Sequence, residues 1–230
     1  MLKNEARWLG RALAVIPDGD LFPMVNVGSS TRALREEAQP WIHEEIFKPL
    51  SLRGGRVVHQ DLKAADGVDL VGDLNDPACW EKVSALAPRS VFCSNVLEHV
   101  PVAARDALCA RMVALVPPGG YLVLSVPRAF PYHPDPLDTG FRPSPDDLAQ
   151  LFPGTTRTRE DVVNCGTVWG LLDRNGWRLA GKVGRMVWST AGRTPPAEGG
   201  SGERGATLRE WLVPWAWREF RATCILLRKQ

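Results

Sequence analysis

No stretch of the 230-residue sequence approaches the roughly 18 consecutive apolar residues that a bilayer-crossing helix needs, so no integral membrane segment is expected. The first residues, MLKNEARWLGRALAVIPDGD, lack a small-residue cleavage site and carry Arg7 and Arg11 inside their apolar pattern. They read as an amphipathic helix rather than a secretion signal. Cysteine is sparse: Cys79, Cys93, Cys109, Cys165 and Cys224 are odd in number, and no two stand at CxxC spacing. That disfavours a disulfide framework or a zinc site and points to a reducing, cytoplasmic setting. RNP, zinc-finger and basic-zipper patterns are absent too, and no segment interleaves dense basic residues with aromatics. Nucleic acid is not an expected partner.

What is present suits a globular chain: 44% of residues are hydrophobic and 23% charged, enough to bury a core. Length favours a single domain over residues 1–230. The net charge of +2 is unevenly spread. Residues 1–150 hold 15 Lys and Arg against 19 Asp and Glu, whereas the remainder holds 13 against 7. A basic C-terminal part could attract an anionic substrate, but a solvated arginine-rich surface is the preferred reading.

Apolar spacing at Leu2, Ala6, Leu9 and Leu13 predicts a helix from Leu2 to Val15, stopped by Pro17-Asp18-Gly19. Phe22–Val27 reads as a short strand running into Gly28-Ser29-Ser30-Thr31 and then a helix, with Thr31 or Ser30 as its cap. A short helix is expected over Trp41–Lys48. Strands follow over Arg56–Asp61, Val68–Gly72, Arg89–Ser94 and Tyr121–Val126, with helices over Pro77–Leu86 and Val102–Leu115. Strands alternating with helices imply parallel crossovers and a doubly wound α/β sheet. In the tail a helix is expected over Asp161–Arg174 and strands over Trp177–Val187 and Phe220–Leu227, with a Pro- and Gly-rich loop from Thr194 to Gly205. No internal repeat is visible.

An open parallel sheet binds ligands at the carboxyl ends of its strands, where the strand order reverses. Those ends carry VNVGSST, then Asp61, then Asp73-Leu74, then Ser94-Asn95-Val96-Leu97-Glu98-His99. A carboxylate at the second end can accept both hydroxyls of a cis-diol, and a second acid one strand over can accept from an adenine amine. Together they read as an adenosine site. At the first junction the glycines of GxGxxG are replaced by Ser30 and Ala33 after Gly28, and no GxxxxGK[ST] loop occurs. An adenosine ligand without phosphates fits better, and a nicotinamide-dependent oxidoreductase is disfavoured.

The order VNVGSST, HQDL, VGDLND, VFCSNVLEHV and LVPPGGYLVLSVP resembles the class I S-adenosylmethionine-dependent methyltransferases, in particular the small-molecule type 11 group. The resemblance covers roughly Val25–Pro127 and implies a Rossmann-like, seven-stranded, mostly parallel sheet with its last strand antiparallel. It implies S-adenosyl-L-methionine as cofactor, its methionine part against Asn26, Gly28, Ser29 and Ser30. The ribose falls to Asp61, the adenine to Asp73 and Leu74, and the sulfonium neighbourhood to Ser94 and Asn95. Three departures stand out. Asn26 replaces an acid, Ser30 replaces a glycine, and 33 positions separate Gly28 from Asp61, more than is usual. The Pro40–Leu50 segment is the expected insertion, covering the site or serving an interface.

Within this frame residues 1–20 are an N-terminal helix, 21–127 the cofactor-binding core, 128–160 a substrate loop and 161–230 a C-terminal helix and strands. The loop FPYHPDPLDTGFRPSPDDLAQLF resembles that of relatives working on sugars or cell-surface polysaccharide precursors. The expected reaction is methyl transfer to a hydroxyl or amine of such a small molecule. His133 is the candidate general base, since histidine titrates near operating pH. Asp135 or Asp138 would orient it, and Tyr132, Asp135 and Arg142 would meet substrate. Asn95 could equally cap a helix starting at Val96, and His99 could be a packing residue. No metal is expected. Trp211, Trp215 and Trp217 read as core or pocket wall. The alternative is a methyltransferase-like binding module, with Asn26 and Ser30 marking a weakened pocket.

Overall fold

The computed structural model describes residues 1–73, 76–131, 133, 137–167 and 218–230. In chain order the elements are α1 (Lys3–Ala14), α2 (Asp18–Leu21), β1 (Met24–Val27), two π-helical turns (Leu34–Ala38 and His43–Phe47), α3 (Lys48–Leu52), β2 (Val57–Asp61) and β3 (Leu70–Val71). There follow α4 (Pro77–Ser84), β4 (Ser90–Ser94), a 3-10 turn (Leu97–His99), α5 (Val102–Leu115), β5 (Tyr121–Ala129), α6 (Pro145–Gln150), β6 (Thr155–Thr167) and β7 (Glu219–Lys229). The seven strands form one sheet in the order β3-β2-β1-β4-β5-β7-β6. Strands β1 to β5 pair in parallel, while β7 runs antiparallel to both β5 and β6.

Successive side chains alternate between the two faces, and each face buries its own core. Met24, Phe92 and Val123 pack with Leu9 and Leu13 of α1 and with Ile42, Ile46 and Leu50. Val25, Val27, Val91, Cys93, Leu122 and Leu124 pack on the opposite face with Trp80 of α4, Leu108 and Met112 of α5 and Leu148 of α6. Local signals set the helix starts. Asp76 accepts from the Ala78 amide ahead of Pro77, and Ser144 and Asp147 form a reciprocal capping box. The Pro40–Leu50 segment is built into the core. It lies so close to α1 that a Cβ at Gly10 would stand 2.1 Å from the Glu45 carbonyl oxygen.

Two expectations need correction. Residues from Asp161 to Thr167 are strand, not helix, and the sixth strand is supplied by Thr155–Thr167. The β-branched Thr155, Thr156, Thr158, Val162 and Val163 favour extended backbone. Pairing with β7, from Thr155 opposite Lys229 to Thr167 opposite Glu219, fixes it. The rest of that expected helix, the expected strand Trp177–Val187, the loop from Thr194 to Gly205 and the three tryptophans lie outside the described residues. Second, no helix starts at Val96: a 3-10 turn precedes α5, which begins at Val102. Among the described residues no helix is long and apolar enough to cross a membrane.

Candidate functional site

The strand order reverses between β1 and β4, so the loops leaving their carboxyl ends diverge and open a crevice. Gly28 holds φ at +66°, and a Cβ there would stand 2.4 Å from Val96 Cγ2. Only glycine lets the β4 loop approach this closely. Ser30 adopts the same left-handed region, φ +56°. Its amide donates to Asp61 Oδ2 at 2.7 Å, and its carbonyl accepts from Arg35 at 2.7 Å. Arg35 is buried and also donates to the carbonyls of Ser29 and Gly67. Burial lowers its pKa from the usual arginine value. Thr31 Oγ1 accepts from the Leu34 amide and is the cap that starts the following helical turn.

A cavity of about 450 Å³ lies over these strand ends. Its wall includes Gly28, Ser30, Asp61, Asp73, Asn95 and His99. Five residues expected at a cofactor site, read from four separate strand ends, are thereby brought together. Asn26, Ser29 and Ser94 are not in this wall. Asn26 is buried on the far side of β1 and donates from Nδ2 to His59 Nδ1 at 3.0 Å. Burial first, then the charge of Arg35, pushes the His59 pKa down to about 4. Leu74, Tyr132 and Asp135 lie outside the described residues.

Ser94 and Asn95 take part in a network the sequence did not announce. Glu5 of α1 is 2% exposed, and its Oε1 accepts from Ser125 Oγ at 2.7 Å and Asn95 Nδ2 at 2.9 Å. Its Oε2 accepts from the Leu2 amide at 3.0 Å. Asn95, with φ +54°, is therefore held by a carboxylate from a helix ninety positions earlier and caps nothing. The apolar spacing of α1 marks its buried face, but nothing local marks Glu5 as buried.

Beside the cavity stands a second polar cluster. Asp138 is fully buried. It receives a two-pronged contact from Arg142 (3.0 and 2.7 Å), plus the backbone amides of His133 and Gly140 at 2.9 Å each. Burial alone would raise its pKa; the hydrogen bonds from His133, Arg142 and these amides win and hold it well below the carboxylate range. The expected pairing of His133 with Asp138 is present, Nδ1 to Oδ2 at 3.1 Å, and Nδ1 also lies 3.1 Å from the Pro131 carbonyl oxygen. Two acceptors at Nδ1 hold a proton there, so that in the neutral ring the lone pair sits on Nε2. Arg142 spends both prongs on Asp138 and so supports that carboxylate.

The ring of His99 lies edge-on to that of His133, centroids 5.3 Å apart, and its Nδ1 meets the Leu137 carbonyl oxygen. Next to it Glu98 is fully buried, and neither carboxylate oxygen has a hydrogen-bond partner in any other described residue. Burial pushes its pKa up to about 7, opposed in part by its own backbone amide and the charges of His133 and Arg142. One ligand atom from each of Glu98, His99 and His133 lies within 4.8 Å of the others. The sequence marks His133 as a candidate base, while His99 reads as packing; the adjacent Glu-His pair in SNVLEHV is the available signal for the other two.

The sequence matches no protein-family model, and no curated protein matches it. Solved structures do share its fold. A SAM-dependent methyltransferase from Anabaena variabilis superposes with a TM-score of 0.52 at 12% identity, over 99% of this chain and 86% of that one. A coclaurine N-methyltransferase, bound to N-methylheliamine and SAH, gives 0.51 at 12% identity, over 97% and 69%. The chain has the fold of the class I methyltransferases, a Rossmann-like α/β single domain.

Proposed function

We propose that this chain is an S-adenosyl-L-methionine-dependent methyltransferase acting on a small molecule. The carrying observation is the cavity at the β1/β4 reversal, walled by Gly28, Ser30, Asp61, Asp73 and Asn95. Its volume falls within the range of small-molecule sites. The residues fit the cofactor. Asp61 uses one acceptor position of Oδ2 on Ser30 and one of Oδ1 on the Lys63 amide, at 2.7 and 3.3 Å. Each carboxylate oxygen keeps capacity for one more donor, as a ribose diol requires. Ser30 reaches the left-handed conformation a glycine would give there, so that departure leaves the loop's path intact.

Asp61 binds the ribose, Asp73 with Leu74 the adenine, and the loop of Gly28, Ser29 and Ser30 the methionine end. Ser94 and Asn95, locked to Glu5, and Asn26, locked to His59, hold the strand ends in place beneath it. When bound, the cofactor supplies an electrophilic methyl group on a sulfonium. The chain's task is then to align an acceptor and take its proton. His133 removes that proton at Nε2, with Asp138 fixing the tautomer. Tyr132, Asp135 and, through Asp138, Arg142 shape the acceptor side. The acceptor is a hydroxyl or amine of a small molecule, of the saccharide class suggested by the loop sequence. A reducing cytoplasm is the setting, in keeping with five cysteines that are free and buried.

Calorimetric titration with S-adenosylmethionine and S-adenosylhomocysteine tests the reading. Binding of both is expected, with Asp61→Ala weakening it by about 1.5–3 kcal/mol, the range for a hydrogen bond to a charged group. Absence of heat and of thermal stabilisation at millimolar cofactor overturns it.

A further inference from the structure

We propose that Glu98, His99 and His133 bind one divalent first-row transition ion at the edge of the cavity. Three independent observations converge on it. The ligand atoms of these residues already lie within 4.8 Å of one another. Ligands about 2.1 Å from a zinc ion in tetrahedral array are about 3.4 Å apart. The two spacings differ by at most about 1.4 Å.

The orientation of the rings is the second observation. His99 Nδ1 is committed to the Leu137 carbonyl oxygen, and His133 Nδ1 to Pro131 and Asp138. Both rings therefore offer the Nε2 lone pair, and both carry the outer-shell acceptor that metal-bound histidines have. For His133 that acceptor is a carboxylate held by Arg142. The third observation is Glu98. A fully buried carboxylate with no donor from another described residue is a costly arrangement, which a cation relieves. Its Oε1 already lies 3.8 Å from His99 Nε2. Two imidazoles and one carboxylate favour zinc, cobalt, manganese or iron over magnesium or calcium.

His99 belongs to the cavity wall, so the remaining coordination positions open toward the acceptor side. This use rests on the methyltransferase reading. It narrows the acceptor to a hydroxyl. The coordinated O–H releases its proton to water at lower pH than a free hydroxyl, keeping the electron pair on oxygen. In the ion-free protein the His133 lone pair serves as the base; in the loaded protein it is a ligand and the cation acidifies the hydroxyl.

The test uses the 230-residue chain stripped with a chelator, titrated with Co²⁺ by visible absorption and with Zn²⁺ by calorimetry. One equivalent per chain is expected. Glu98→Gln, His99→Ala and His133→Ala should each weaken binding about tenfold or more. Glu98→Gln keeps shape and removes charge, so folding is expected to survive, as circular dichroism checks. A Zn²⁺-induced rise in melting temperature should be seen in the wild type and lost in that variant. If it does not fold, the two histidine variants carry the same test. No binding at millimolar ion, or binding that none of the substitutions weakens, overturns the site. S-adenosylmethionine is titrated in parallel into the stripped chain. Cofactor binding without ion binding sinks the ion site alone, and ion binding without cofactor binding sinks the methyltransferase reading alone.

Discussion

Asn26 donates to a histidine that burial keeps neutral, and this explains how the chain tolerates an amide where the family it resembles carries an acid. Asn26 Nδ2 donates to the bare Nδ1 of a neutral His59 without bringing a charge that would favour the imidazolium. Asn26→Asp reverses the logic: a negative charge 3.0 Å from Nδ1 favours the imidazolium. The His59 pKa should rise from about 4 by about 1–3 units, read by NMR titration of the ring signals. An unmoved titration would mean that the two side chains do not communicate.

The loop after β1 owes its shape to a residue several positions downstream. Arg35 ties together the carbonyls of Ser29, Ser30 and Gly67, clamping the glycine loop against the segment after β2. Arg35→Ala should cost about 1.5–3 kcal/mol of stability and loosen cofactor binding, since hydrogen bonds to a charged, buried donor are lost. Faster amide exchange confined to residues 28–31 is the signature to seek; uniform destabilisation alone would argue against a local clamp. Sequence reading placed Gly28 and Asp61 because short apolar strands ending in glycine or acid are local signals. Glu5 was not legible, because it matters through partners far along the chain, and nothing local marks Arg35 as buried. The helix expected from Asp161 gives way over residues 161–167 for a like reason: they take the conformation that β7 imposes, and β7 is more than fifty positions further along the chain.

Acid should weaken the whole molecule through His59. Its folded pKa, about 4, lies below the ordinary histidine value of 6.5, so between these the unfolded chain holds the extra proton. Stability from this group is fully present above about pH 6.5 and is lost as pH falls toward 4. The slope is at most about 1.4 kcal/mol per pH unit. Urea melts across this window should show it as a difference between wild type and His59→Gln. Equal slopes in the two would remove His59 as the cause. The α/β sheet itself was legible from the alternation of apolar runs and helical spacing. The order of its last two strands was not, since it depends on which segment fills the place beside β5.

That place has a kinetic meaning. β7 lies between β5 and β6, and among the described residues β6 pairs with β7 alone, a segment beginning at Glu219. During vectorial synthesis, residues 155–167 leave the ribosome well before the strand they pair with among the described residues. The Arg157, Arg159, Glu160 and Asp161 side chains, all exposed, suit that interval. They keep the orphan ribbon wetted and discourage it from zippering onto a stranger.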